Sequence, residues 1–138
     1  MKKLLLLILI CAASVSFAQT SVPDKVKSAF TGKFPNASNL KWEAEDDEYE
    51  AAFNIDSANY SAIYNDKGVW QETSIEIVFD NLPDAVKQTV KKTYKDADIK
   101  GSFIIEDSEG QIYYEVDVLK DNKKLELYYN KNGSEADD

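Results

Sequence analysis

Histidine and arginine are absent from this chain, and its single cysteine, Cys11, lies in an apolar leader. Without imidazole there is no histidine general base, no Ser-His or Cys-His nucleophile pair and no histidine-ligated metal. Without guanidinium there is no bidentate fork for phosphate or carboxylate. The 16 lysines are outnumbered by 25 acidic residues, for a formal charge of −9. Such a chain repels nucleic acid and anionic lipid, because affinity for phosphate comes from clustered cations. Paired carboxylates can hydrolyse glycosides without histidine, given a cleft. Here the acids fall at turns and on outer strand positions, and no Ser-x-x-Lys opens a helix. The reading is a non-enzyme. At 138 residues the chain is one domain's worth.

The first residues read as an address. Met1-Lys2-Lys3 is a cationic start, Leu4 to Ile10 is unbroken apolar, and Ser16-Phe17-Ala18 offers small residues at −3 and −1 of a cleavage site. This is the three-part pattern of a secretory signal peptide over residues 1–18. The apolar stretch of about 15 residues is short of the roughly 20 that a spanning helix needs. Cys11 follows Ile10, which is too large for a lipid-modification site. Cleavage would leave a single domain over 19–138, with 14 lysines against 25 acids, a charge of −11 and no cysteine. That domain has no disulfide or thiolate chemistry, and at its size it needs no staple.

The remainder is written twice. Val22-Pro23-Asp24-Lys25-Val26-Lys27 recurs as Leu82-Pro83-Asp84-Ala85-Val86-Lys87, sixty positions later. Tyr49-Glu50-Ala51 then matches Tyr114-Glu115-Val116, and Tyr64-Asn65-Asp66-Lys67-Gly68 matches Tyr129-Asn130-Lys131-Asn132-Gly133, both offset by 65. Three matches in one order mark a duplication, with halves at about 22–79 and 81–133. Each half opens with a helix. Pro23 and Pro83 suit the first helical position, and Val22, Val26, Phe30 and Phe34 share one face, as do Leu82, Val86, Val90 and Tyr94.

Period-two alternation follows in both halves, as in Tyr49, Ala51, Phe53, Ile55 and in Ile112, Tyr114, Val116, Val118. Strands are expected at 39–45, 49–55, 58–64, 69–78, 99–106, 112–118 and 124–130. Turn chemistry at Asn65-Asp66-Lys67-Gly68, Asp107-Ser108-Glu109-Gly110 and Asp121-Asn122 makes neighbours antiparallel. The fold class is α+β: an antiparallel sheet with two helices on one face, built from two tandem helix-plus-strands repeats.

The opening Val22-Pro23…Val26…Ala29-Phe30…Phe34-Pro35-Asn36-Ala37, then Lys41-Trp42-Glu43, then the restart at Leu82-Pro83…Val86, resembles the PepSY-like family of exported bacterial proteins, also described as β-lactamase-inhibitor-like. The resemblance spans about residues 22–133. It implies a sheet with helices on one side and a periplasmic or secreted location in a Gram-negative bacterium. It brings no catalytic residue set, and it implies inhibitor-like binding of a protein or peptide through the open sheet face.

Alternation assigns residues to that face. Opposite the helix-facing set lie Glu50, Ser61, Ile63, Tyr113, Glu115, Asp117, Glu126 and Tyr128, and the pattern at 69–78 adds Trp70, Glu72, Ser74 and Glu76. Trp70, Tyr113 and Tyr128, rimmed by Ile63, Glu72 and Glu115, form the candidate contact set for an unidentified protein or peptide. Two alternatives remain open: cross-strand aromatic pairs that only stabilise the sheet, or a bulge that turns Trp70 inward. No cofactor is expected. The alternative is a weak Ca²⁺ site at the turn Glu45-Asp46-Asp47-Glu48, whose spacing does not fit the calcium loop with Glu at its twelfth position. The exposed terminal strand shows no proline or bulge that would block pairing with a second copy, and the oligomeric state stays open.

Overall fold

The computed structural model describes residues 21–136. The expected signal peptide, its cleavage site and Cys11 lie outside the described residues. The order is α1 (Asp24–Lys33), β1 (Ser38–Glu45), β2 (Glu48–Ile55), β3 (Ala58–Asn65), β4 (Trp70–Glu76), a 3₁₀ turn (Phe79–Asn81), α2 (Asp84–Thr93), β5 (Asp98–Asp107), β6 (Ile112–Lys120) and β7 (Lys123–Tyr129). The seven strands make one antiparallel sheet in sequence order. The expected α+β architecture, one helix before four strands and one before three, is what forms.

Each helix caps its own half. Val26 and Phe30 of α1 bury against Ala51, Phe53, Ala62 and Tyr64, while Val86 and Val90 of α2 bury against Val116, Val118 and Tyr129. Ile75 pairs with both Tyr60 and Ile104, and Ile104 pairs with Tyr114, so the helix-facing side is continuous from β3 to β6. Both helices therefore lie on one face, and no described helix or strand covers the other. Pro23 and Pro83 sit one position earlier than expected, at the caps, where their carbonyls accept the first helical N–H bonds. Asp24 and Asp84 follow at the positive end of each helix dipole, with Lys27 and Lys87 in repeat-equivalent ion pairs at 3.7 and 3.0 Å.

The duplication extends to tertiary detail. The turn after β3 brings Gly68 against the Lys25 carbonyl of α1, and the turn after β7 brings Gly133 against the Ala85 carbonyl of α2. The residue after each turn repeats as well: Trp70 pairs with Tyr64, and Glu135 forms a bridge with Tyr129. The terminal strand differs from expectation. β1 has a bulge between Ser38 and Lys41, with Asn39 at φ 54°, and runs in regular register from Lys41 to Glu45.

Candidate binding face

One bulge changes the expected surface. Ile63 pairs with Glu72, but the next residue, Tyr64, pairs with Trp70, so Gln71 is an extra residue in β4. An inserted residue inverts the parity of everything before it. Trp70 therefore points to the helix side, half-buried against the α1 cluster. Its indole N–H donates to Thr73 Oγ1 at 2.9 Å, and Lys33 Nζ lies 3.7 Å from the ring centroid, a close cation–π contact. The placement of Trp70 on the open face is thus corrected. The alternation rule assumes an uninterrupted ladder, and here the ladder is interrupted.

Two further candidates keep their side but lose their accessibility. Ile63 is 3% exposed and Glu115 is 1% exposed. Ile63 stands between Glu50 of β2 and Glu72 of β4, and Glu115 between Phe103 of β5 and Tyr128 of β7. Ile63 is flanked by longer side chains and Glu115 by larger ones, and no described helix or strand covers either. Neither can be a contact residue in the sense expected. What remains of the set is a half-buried group of three. Tyr113 donates its hydroxyl to Glu72 Oε2 at 2.9 Å, and its ring meets Tyr128 edge-on with centroids 6.2 Å apart. These residues come from β4, β6 and β7, which only the folded sheet brings together.

The face is acidic in a way that costs stability. Glu43 stands opposite Glu50, Glu45 opposite Glu48, Glu72 opposite Asp107 and Asp117 opposite Glu126. Like charges directly across a ladder destabilise it. Burial raises the pKa of Glu50 above the ordinary carboxylate range, with a hydrogen bond from Ser61 opposing and Glu43 adding to the rise. Burial also raises Glu72, and the Tyr113 hydroxyl partly offsets it. The Tyr113 hydroxyl itself is pushed up, first by burial and then by Glu72.

The tightest part is Glu115, Asp117 and Glu126, whose carboxylate oxygens lie within 4.8 Å of one another. Lys124 Nζ reaches Asp117 Oδ2 at 3.3 Å and Glu126 Oε1 at 3.5 Å. Both Glu115 oxygens and Asp117 Oδ1 are buried without a hydrogen-bond donor. Burial first, and then the Asp117 charge, drive the Glu115 pKa upward. Sequence reasoning had these residues on the right side but not as a cluster. The signal was present: a two-residue turn at Asp121-Asn122, both at positive φ, sets the β6–β7 register and places Glu126 opposite Asp117. The acidic turn Glu45-Asp46-Asp47-Glu48 joins β1 to β2. Among the described residues it provides no group of three converging carboxylates, and the Glu115 group does.

A family profile described as "Putative beta-lactamase-inhibitor-like, PepSY-like" matches residues 10–59 and 47–134. No curated protein matches the chain. Among solved structures, a DUF2874 family protein from Bacteroides ovatus is similar at TM-score 0.72 and 24% identity, over 83% of this chain and 84% of that one. A protein from Bacteroides eggerthii described as one of the "putative periplasmic proteins" aligns at TM-score 0.75 and 19% identity, over 83% of this chain and 85% of that one. A BLIP-like protein from Bacteroides fragilis aligns at TM-score 0.68 and 24% identity, over 83% of each chain. At these identities the likeness is one of fold.

Proposed function

The chain belongs to the PepSY-like, β-lactamase-inhibitor-like family, and on that premise we propose that it is a non-catalytic periplasmic module that docks a lysine- or arginine-rich protein surface on the uncovered face of its sheet. One observation carries the reading. That face sets like charges opposite one another across its ladders around the half-buried Tyr113–Tyr128–Glu72 group. A partner of opposite charge relieves the repulsion and speeds encounter. The two tyrosines supply amphipathic area of the kind enriched at interface hot spots. The family description supports an inhibitor-like role, in which docking restrains the partner. The export-type leader in the sequence supports a periplasmic site of action, and no helix among the described residues is long and apolar enough to cross a membrane.

Photo-crosslinking in the native periplasm tests this. A crosslinker replacing Tyr128 is expected to capture a basic partner that one replacing Lys27 of α1 does not. Charge reversal of Glu43 and Glu50 to lysine is expected to abolish capture, while Trp70→Ala, altered on the opposite side, leaves it intact. Equal capture from both positions, or capture unaffected by the reversals, would refute the proposed face.

A further inference from the structure

We propose that Glu115, Asp117 and Glu126 form a binding site for a divalent, oxygen-seeking cation of the Ca²⁺ class. This goes beyond the partner-docking reading and does not depend on it. Three carboxylates converge from two adjacent strands, with their oxygens within 4.8 Å of one another. Calcium–oxygen distances of about 2.3–2.6 Å put ligands on opposite sides of the ion roughly 4.6–5.2 Å apart, whereas magnesium at about 2.0–2.1 Å would need a tighter set. The spacing suits the larger ion.

Burial supplies the independent observation. Glu115 is 1% exposed and Asp117 is 5% exposed. Both Glu115 oxygens and Asp117 Oδ1 are buried without a donor, and one oxygen of each carboxylate belongs to the converging set. Buried carboxylates are normally paired or coordinate a metal. Lys124 contacts Asp117 Oδ2 and Glu126 Oε1. One ammonium among three carboxylates leaves two negative charges when all are ionised, which is the charge of the proposed ion. The walls are in place too. Gly101 has no side chain where a Cβ would meet the Phe103 ring at 2.8 Å, so that ring lies beside Asp117, with Tyr128 on the other flank of Glu115. Lys124, whose side chain is 39% exposed, stands at the mouth and can swing out to solvent.

Isothermal titration with calcium chloride, paired with thermal melts, tests the site. The wild-type domain is expected to bind one ion in the ~10⁻⁴–10⁻³ M range of extracellular calcium modules and to melt higher when loaded. Glu115→Gln, isosteric at a position with no donor to lose, is expected to abolish the heat while still unfolding in one cooperative transition without calcium. Should that variant not fold, Glu126→Gln at the half-buried rim carries the same expectation. Lys124→Gln, which removes the competing ammonium, is expected to tighten binding, and Asp46→Asn with Asp47→Asn to leave it unchanged. A wild type without calcium heat or melting shift, or binding retained in the folded Glu115 or Glu126 variant, overturns the site. Binding lost in the Asp46–Asp47 variant overturns it as well.

Discussion

Glu115 carries the sharpest conflict at the scale of a single residue. It lies on an uncovered face, one strand in from the β7 edge, and is nevertheless buried between Phe103 and Tyr128. Burial and the neighbouring Asp117 raise its folded-state pKa above the ordinary value of 4.5. Glu126 and Glu72 push the same way, and Lys124 is the cation of the cluster. Between the unfolded and folded values the native state holds a proton that the unfolded chain has released. Stability contributed by that proton is complete at acid pH and is lost as pH rises through this window. In a chelating buffer the melting temperature should therefore fall from pH 5 towards pH 8. Glu115→Gln should flatten that slope and melt higher than wild type at the alkaline end. A melt series at fixed ionic strength reads both effects, and parallel slopes for the two proteins would contradict the assignment.

The repeated turns show most at the scale of elements. Gly68 and Gly133 each sit at φ +80°, and a Cβ there would approach a helix carbonyl oxygen at 2.9 and 2.6 Å. Left-handed backbone and close approach both require glycine, and each fault costs on the order of 1–3 kcal/mol. Gly133→Ala should lower stability by about 2–4 kcal/mol in denaturant melts, and Gly68→Ala by somewhat less, because its contact is longer. Gly110, also at positive φ but in open space, should tolerate alanine at a lower cost. The β4 bulge belongs to this scale too. The parity of Thr73 and Ile75 was legible from alternation, and both do face the helices. Trp70 was not legible, since one extra residue at Gln71 reverses the side of every residue before it. Such an insertion leaves no periodic trace in a strand of seven residues.

The whole molecule is a continuous sheet with two cores on one side and an acidic surface on the other. With 25 acids to 16 lysines, and like-charged ladders concentrated on that surface, self-repulsion works against the compact state. Screening should relieve it, with the Debye length shrinking from about 10 Å at 0.1 M salt to about 3 Å at 1 M. The melting temperature is expected to rise between these concentrations of sodium chloride, and the gain should be smaller once Glu43 and Glu50 are glutamine. A melting temperature that falls with salt would show that ion pairs, not repulsion, dominate the charge balance.

The order of elements, the duplication, the two helix stripes and the side taken by most strand residues were determined by the sequence alone. Each depends on local chemistry: proline at a helix start, a 3.6-residue or two-residue period, and turn residues such as Asp121-Asn122 that set a register over a few positions. Tertiary structure alone decided which way Trp70 points, that Ile63 and Glu115 are shielded on an uncovered face, and that Glu115, Asp117 and Glu126 meet without enough donors. These outcomes depend on the size of side chains across neighbouring strands and on a single inserted residue. Both act between segments distant in the chain, where no periodicity reaches.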